Sequence, residues 1–152
     1  MADLGPDTAG RRRRPRLLSV VAPAYNEAEG LPKFVHEVRS VLPPLADDYE
    51  ILIVDDGSQD ATREVLTRLR REEPRLRWLG LSRNFGHQAA LVAGLEHARG
   101  DVVITMDSDL QHPPLLLHQM VERWRDGNDV VFTAEASSAG AFSLRRRLMM
   151  KV

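Results

Sequence analysis

Short apolar runs alternate along the chain with longer segments in which apolar residues recur every three or four positions. The runs predict β-strands at residues 17–22, 49–54, 76–81, 101–106 and 130–133. The segments between them predict helices at residues 29–41, 60–71, 86–98 and 113–125, and another helix at 144–150. Because strands alternate with helices, we predict an α/β fold with a doubly wound, mainly parallel sheet.

The same pattern divides the chain into three regions. Residues 1–16 are polar and basic, and they predict a disordered tail. Its arginine run (residues 11–14) is either simply solvated or makes a weak electrostatic contact with anionic lipid. Residues 17–135 form the predicted globular domain. Residues 136–152 predict the start of a basic helix of the kind that faces a membrane surface.

Composition narrows the functional classes. The 152 residues suffice for one domain with its own core, and the net charge of −1 gives no general attraction to nucleic acid. The absence of cysteine excludes disulfides and thiolate zinc sites. No sequence window has the ~18 consecutive apolar residues that a membrane span requires.

Polar residues cluster where three of the predicted strands end. Residues 23–27 follow the first strand, residues 55–58 follow the second, and residues 107–111 follow the fourth. Because ligands bind beyond the carboxyl ends of parallel strands, these clusters predict one site at one edge of the sheet. Carboxylates gathered there repel one another unless a cation or hydrogen-bond donors compensate.

Two aspartates of the third cluster predict a site for a divalent metal. Asp107 and Asp109 are two positions apart, a spacing that places both on one face at a strand end, and Gln111 adds an amide oxygen. Oxygen ligands of this kind suit a hard cation that in turn holds a phosphorylated ligand. No P-loop and no glycine-rich dinucleotide motif follows the first strand, so the metal is the expected diphosphate contact.

Structural interpretations of the same residues remain open. Asp56 is compatible with a turn that Gly57 completes, and Glu27 with a favourable charge at a helix N-terminus. Tyr25 is either a packed ring or a ring that stacks on a flat base. His87 opens the predicted third helix and is compatible either with a surface position or with a position facing the site.

Four stretches resemble glycosyltransferase family 2 of the GT-A fold, in its polyprenyl-phosphate branch, which includes proteins similar to dolichol-phosphate mannose synthase. They are residues 19–31 (SVVAPAYNEAEGL), 50–61 (EILIVDDGSQDA), 81–95 (LSRNFGHQAALVAGL) and 100–114 (GDVVITMDSDLQHPP). The resemblance implies transfer of a hexose from a nucleotide-diphosphate sugar to a polyprenyl phosphate, by a cytoplasmic protein at the inner face of the membrane.

The resemblance also implies roles for individual residues. Pro23, Tyr25 and Glu27 would contact the donor nucleotide, Val54 and Asp56 would hold its base and ribose, and Ser108 would touch the nucleotide. Asp107, Asp109 and Gln111 would ligate Mg²⁺ or Mn²⁺, with Asp109 the residue assigned to catalysis.

Two departures from the family pattern leave an alternative open. Glu135 stands where the family usually has an arginine that helps to hold phosphate. The family's acceptor-binding half also has no counterpart, which is the pattern expected of a truncated chain. The alternative function is therefore an inactive donor-binding fragment or an interaction module.

Overall fold

The computed structural model describes residues 10–133, which form a parallel sheet flanked by helices. The elements in chain order are β1 (Leu17–Ala24), α1 (Leu31–Val41), β2 (Asp48–Asp55), α2 (Thr62–Glu72), β3 (Leu76–Gly80), α3 (His87–His97), β4 (Val102–Thr105) and α4 (Leu116–Arg125). All strand pairs are parallel and the sheet order is β3-β2-β1-β4. The predicted α/β fold with a mainly parallel sheet is confirmed.

The two central strands are buried because helices cover both faces of the sheet. On one face, Val20, Ile51 and Ile53 join a core with apolar residues of α1, α2 and α4. On the other face lies α3, whose residue Gly94 sits against Val21 so closely that an added Cβ would lie within 3.0 Å of that side chain. The helix therefore needs a glycine here to reach the sheet.

The helices begin slightly later than the sequence pattern predicts. Helix α1 starts at Leu31 with a proline in its first turn, where the missing N–H costs nothing. Helix α4 starts at Leu116, because the preceding residues form a tight turn in which the Leu116 N–H donates to the Pro113 carbonyl at 3.0 Å. Neither shift moves a residue of the predicted site.

The fifth predicted strand is wrong within the described residues. Residues 130–133 have the apolar pattern of a strand but form no ladder with any described neighbour. Val130 is 68% exposed and Phe132 is 86% exposed, so neither side chain is covered. A strand requires a partner for its backbone groups, and no strand of the described sheet supplies one at this position.

The predicted disorder of residues 1–16 is wrong for residues 10–16, which lie against the domain. Arg11 forms ion pairs with Glu122 and Asp126 of the α4 region, at 2.7 and 2.8 Å. Arg12 binds Asp129 at 2.5 Å and stacks over the Trp124 ring.

Arg14 donates hydrogen bonds to the carbonyls of Pro43 and Ala46. Together with Arg11 and Arg12, Arg14 therefore holds residues 10–16 against the domain. Fewer arginine side chains of residues 11–14 then remain for the predicted contact with lipid.

Several predictions fall on residues outside the described part of the chain. These are the tail up to residue 9, Glu135, the region 136–152 and the helix at 144–150. Among residues 10–133, no helix is long and apolar enough to cross a bilayer.

Candidate nucleotide-sugar site

The three polar clusters meet at the carboxyl edge of the sheet, where they surround an open cavity of about 330 Å³. Seven of the nine residues predicted to form the site line this cavity: Pro23, Tyr25, Glu27, Asp56, Asp107, Ser108 and Asp109. Ala24 of β1, together with Asn84, Gly86 and His87 from the loop after β3 and the start of α3, completes its wall. The parallel topology thus brings together residues more than 80 positions apart in the sequence.

Hydrogen bonds connect the loop after β1 to the loop after β2. Asn26 adopts a left-handed conformation (φ 55°), and its side-chain oxygen accepts from the Gln59 N–H at 2.8 Å. Its own N–H donates to the Ser58 hydroxyl at 2.9 Å. The Glu27 N–H donates to the Thr62 hydroxyl at 3.0 Å. These bonds fix the backbone that carries Tyr25 and Glu27 into the cavity.

The Tyr25 ring is 42% exposed and borders the cavity. A packed core ring would be covered on both faces, so the structure favours the second of the two sequence interpretations, an available aromatic surface. The ring can offer a face to a planar group that enters the cavity.

Asp56 holds the loop that precedes α3. Its carboxylate is 3% exposed and accepts from the Phe85 N–H at 2.8 Å and from the Gly86 N–H at 2.9 Å, one with each oxygen. Gly57 (φ 71°) lies directly beneath this loop, and an added Cβ would lie within 3.0 Å of the Arg83 and Asn84 backbone. Asp56 therefore shapes the cavity wall with both oxygens already bound to protein.

The neighbouring Asp55 has a structural role that its position in the sequence does not reveal. Its side chain is fully buried, pairs with Arg63 at 2.6 Å and accepts from the Ser58 N–H at 3.0 Å. Arg63 also donates to the Leu81 carbonyl at 2.7 Å. The pair thereby ties the end of β2 to α2 and to the end of β3.

The loop after β4 presents two carboxylates to the cavity. Ser108 is buried and donates its hydroxyl to the Pro23 carbonyl at 3.0 Å, which joins this loop to β1. Asp109 accepts from the Gln111 N–H at 3.0 Å, and Leu110 between them is left-handed (φ 59°). The Asp107 carboxylate is half exposed and lies 3.7 Å from the His87 ring.

The electrostatics of the cavity favour a cation. Burial raises the pKa of Glu27, and the nearby carboxylates of Asp109 and Asp60 raise it further. A carboxylate that is partly desolvated and surrounded by like charges gains free energy when a positive charge enters.

The described residues fit a divalent metal that is shared with a bound ligand. They contain no cluster of three or more His, Cys, Asp or Glu side chains arranged to enclose a metal ion. Mg²⁺ does not require such a cage, because it is commonly held by one or two carboxylates together with substrate phosphates and water. Asp107 and Asp109 supply two such carboxylates on one cavity wall.

Two predicted site residues lie outside the cavity lining. The Val54 side chain is fully buried and packs against Gly94 of α3, so it supports the sheet instead of facing a base. The exposed Gln111 is not among the lining residues: β4 ends at Thr105 and the chain turns at the left-handed Leu110, so strand-like alternation does not extend to Gln111.

The sequence pattern does not predict Asn84 or Gly86 as site residues, and it leaves two positions open for His87. The signal that could have found them is the same strand-end rule, applied to the loop after β3. That strand has the weakest apolar pattern of the five predicted strands, and the loop after it contains no acidic residue.

Comparison with known sequences agrees with this geometry. The sequence model of "Glycosyl transferase family 2" matches residues 19–150, which is most of the chain and includes all three strand-end clusters. The chain belongs to glycosyltransferase family 2. The resemblance drawn from the four sequence stretches is therefore confirmed.

Among curated members of glycosyltransferase family 2, the chain is similar to proteins named for lipid-linked acceptors. It is 42% identical over 119 residues to the undecaprenyl-phosphate 4-deoxy-4-formamido-L-arabinose transferase of Aeromonas hydrophila, covering 78% of this chain and 36% of that protein. It is 37% identical over 130 residues to the bactoprenol glucosyl transferase of Shigella phage SfV, covering 86% and 42%. The chain thus spans about two fifths of the length of these relatives.

A solved structure extends the likeness to three dimensions. A mannosyltransferase from Pyrobaculum calidifontis, in complex with GDP-Man and Mn²⁺, superposes with a TM-score of 0.58 at 30% identity. The match covers 70% of this chain and 30% of the mannosyltransferase. The fold is accordingly that of the GT-A glycosyltransferases of family 2.

Proposed function

We propose that the cavity binds a nucleotide-diphosphate sugar together with Mg²⁺ or Mn²⁺, as the donor half of a hexosyltransferase that acts on a polyprenyl phosphate. One observation carries the proposal: an accessible aromatic ring, Tyr25, and two carboxylates, Asp107 and Asp109, border the same cavity at the sheet edge. A nucleoside diphosphate presents the complementary pair, a flat base and a chain of phosphate oxygens.

The seven predicted residues that line the cavity then each have a chemical task. Tyr25 offers a face to the base, and Pro23 and Glu27 form the wall beside it. Asp107 and Asp109 would hold the metal, which when bound stabilises negative charge on the departing diphosphate. Catalysis is assigned to Asp109 because the family resemblance gives it that role and because its carboxylate borders the cavity. Asp56 and Ser108 position the loops that carry these groups.

The acceptor is proposed from the relatives and from phosphate chemistry. The names of two relatives specify undecaprenyl phosphate and bactoprenol. A phosphate monoester has a second pKa of about 6 and is largely ionised near neutral pH, so it attacks without a strong general base. The proposed reaction therefore does not require a general base among the lining residues. A lipid-linked acceptor also favours a peripheral location at the cytoplasmic membrane face.

A donor-binding module without transfer is the second candidate. The observation behind it is that the matched region covers 36–42% of the two relatives, while the residues assigned above all serve the donor. Donor binding and sugar transfer are therefore separate claims that separate experiments must test.

Calorimetric titration tests donor binding. UDP and GDP are titrated into the protein with and without Mn²⁺, and into the variants Asp107→Asn and Asp109→Asn, with Asp47→Asn as an exposed control. We expect Mn²⁺ to strengthen binding of at least one nucleotide, and each site variant to weaken that binding about tenfold or more, which is about 1.4 kcal/mol. Binding that ignores both Mn²⁺ and these substitutions would remove the metal from the proposal.

Transfer is tested separately with the same nucleotide carrying a labelled hexose, and with undecaprenyl phosphate in detergent. Appearance of labelled lipid supports the transferase. Metal-dependent binding with no labelled lipid supports the donor-binding module.

A further inference from the structure

The end of β2 carries a buried carboxylate, Asp55, whose ion-pair partner is Arg63 of α2. The Asp55 side chain is fully buried, and the Arg63 Nε lies 2.6 Å from its Oδ2. A second nitrogen of the same guanidinium donates to the Leu81 carbonyl at 2.7 Å. Because a guanidinium presents its donors in a fixed planar fork, one side chain can hold two groups at once. Arg63 therefore fixes the position of Leu81 relative to β2.

Leu81 begins the loop between β3 and α3, residues 81–86, which we call the wall loop. Asn84 of this loop borders the cavity proposed to bind the donor, here called the donor cavity. The Leu81 N–H donates to the Asp55 carbonyl at 2.9 Å, and Asp56 accepts from two N–H groups at the other end of the loop. The two consecutive aspartates of β2 and its following turn thus hold the wall loop at both of its ends.

The place of Arg63 in α2 is not one that favours a cation. Arg63 is the second residue of the helix, which starts at Thr62. The N-terminus of a helix carries a partial positive charge, so a cation there is unfavourable unless another interaction compensates. The buried carboxylate of Asp55 supplies that interaction. The contacts with β2 and with the wall loop, and not a helix preference, account for an arginine at this position.

We propose that Arg63 is a positioning residue of the donor site, which acts through the wall loop. Its side chain does not border the donor cavity but lies at an open groove on the outer side of α2. Without the guanidinium, the Asp55 carboxylate would stay buried with no charged partner, and the Leu81 carbonyl would lose a donor. The wall loop would then become more mobile, and Asn84 would no longer be held at the cavity wall. This inference rests on the proposed nucleotide-sugar site.

A second ion pair of β2 offers a matched control near the other end of the strand. The Arg77 guanidinium lies 2.6 Å from the buried carboxylate of Glu50. Neither residue borders the donor cavity. Removal of either arginine leaves a buried carboxylate of β2 without its ion-pair partner, but of the two arginines it is Arg63 that bonds to the wall loop. A loss of stability is therefore common to both changes, and a loss of donor affinity is not.

Calorimetric titration of UDP or GDP with Mn²⁺ compares Arg63→Ala with Arg77→Ala in the 152-residue chain. We expect Arg63→Ala to weaken nucleotide binding about fivefold or more, and Arg77→Ala to leave it within about twofold, although both lower stability. Millimolar guanidinium should restore most of the affinity lost in Arg63→Ala, because the position is partly open to solvent. The same concentration of sodium chloride should not restore it.

Amide hydrogen exchange without nucleotide measures the wall loop directly. Leu81 and Phe85 should exchange about threefold faster or more in Arg63→Ala, relative to the core amide of Ile53, and should not change in Arg77→Ala. If the wild-type chain binds neither nucleotide, the proposed function fails and the donor role of Arg63 fails with it. Faster exchange at Leu81 and Phe85 would in that case still show that Arg63 holds the loop.

Arg63→Lys keeps the inference testable if Arg63→Ala does not fold. Lysine retains a positive charge beside Asp55 but lacks the fork that reaches Leu81 at the same time. We expect stability close to that of the wild type, with weaker nucleotide binding and faster exchange in the wall loop. Wild-type affinity in either Arg63 variant, or an equal loss of affinity in Arg77→Ala, would overturn the proposal.

Discussion

Replacement of Asp56 by asparagine tests how the cavity wall is held. The carboxylate is buried and binds the N–H groups of Phe85 and Gly86, one with each oxygen. Hydrogen bonds to a charged group contribute about 1.5–3 kcal/mol each. Asparagine retains one acceptor oxygen but turns an NH₂ group towards the second N–H. We therefore expect Asp56→Asn to lower the free energy of unfolding by about 2–4 kcal/mol, a large part of the ~5–15 kcal/mol typical of a domain.

Urea unfolding followed by circular dichroism measures this change, with Asp47→Asn as the exposed control. Because Asp56 positions the loop before α3, amide exchange should also quicken at Phe85 and Gly86 more than in the core strands. A loss of under about 0.5 kcal/mol, the range of ordinary surface substitutions, would refute the assigned role. So would a full loss of stability with no selective change at these two amides.

Three further predictions concern the backbone and the buried charges. Gly57→Ala should destabilise the protein by about 1–3 kcal/mol more than Gly127→Ala in urea unfolding: both glycines have positive φ, but only at Gly57 does an added Cβ meet backbone atoms. Gly94→Ala should lower the melting temperature despite the better helix propensity of alanine, because the methyl group would push α3 from the sheet. Burial raises the pKa of Glu50, but hydrogen bonds from Ser19, Arg77 and Arg99 outweigh it, so the pKa is lowered overall. Its contribution to stability should be complete above its ordinary pKa near 4.5 and fade as the pH falls through the lower folded value, and pH-dependent urea unfolding of Glu50→Gln should show no such loss.

The sequence pattern was sufficient to predict the layers of the fold and the edge that carries the site. β1 and β2 are continuous apolar runs, as expected of strands covered on both faces, and all three polar clusters follow strands. Parallel topology then determines that those clusters meet. The apolar run at 130–133 shows the limit, because a strand also needs a neighbouring strand, and local pattern does not reveal whether one is available.

The details of the site depended on backbone turns that spacing alone does not show. The prediction for Gln111 extends strand alternation from Asp107 to that residue, but β4 ends at Thr105 and the chain turns at Leu110. Asp56 is predicted to face a ligand, and it borders the cavity, but its two oxygens also accept from backbone N–H groups of the loop before α3. In both cases the decisive contact is made by a loop whose course is determined by tertiary packing.

Paramagnetic broadening by Mn²⁺ is the most direct test of the central claim, that this sheet edge holds a metal and a diphosphate together. Substoichiometric Mn²⁺ is added to the ¹⁵N-labelled protein in the presence of UDP or GDP. The account predicts that the amide signals of Tyr25, Gly86 and Ser108 broaden first, that those of Ser40 and Arg71 persist, and that Asp107→Asn removes the selectivity. Broadening centred elsewhere, or unchanged in Asp107→Asn, would contradict the account.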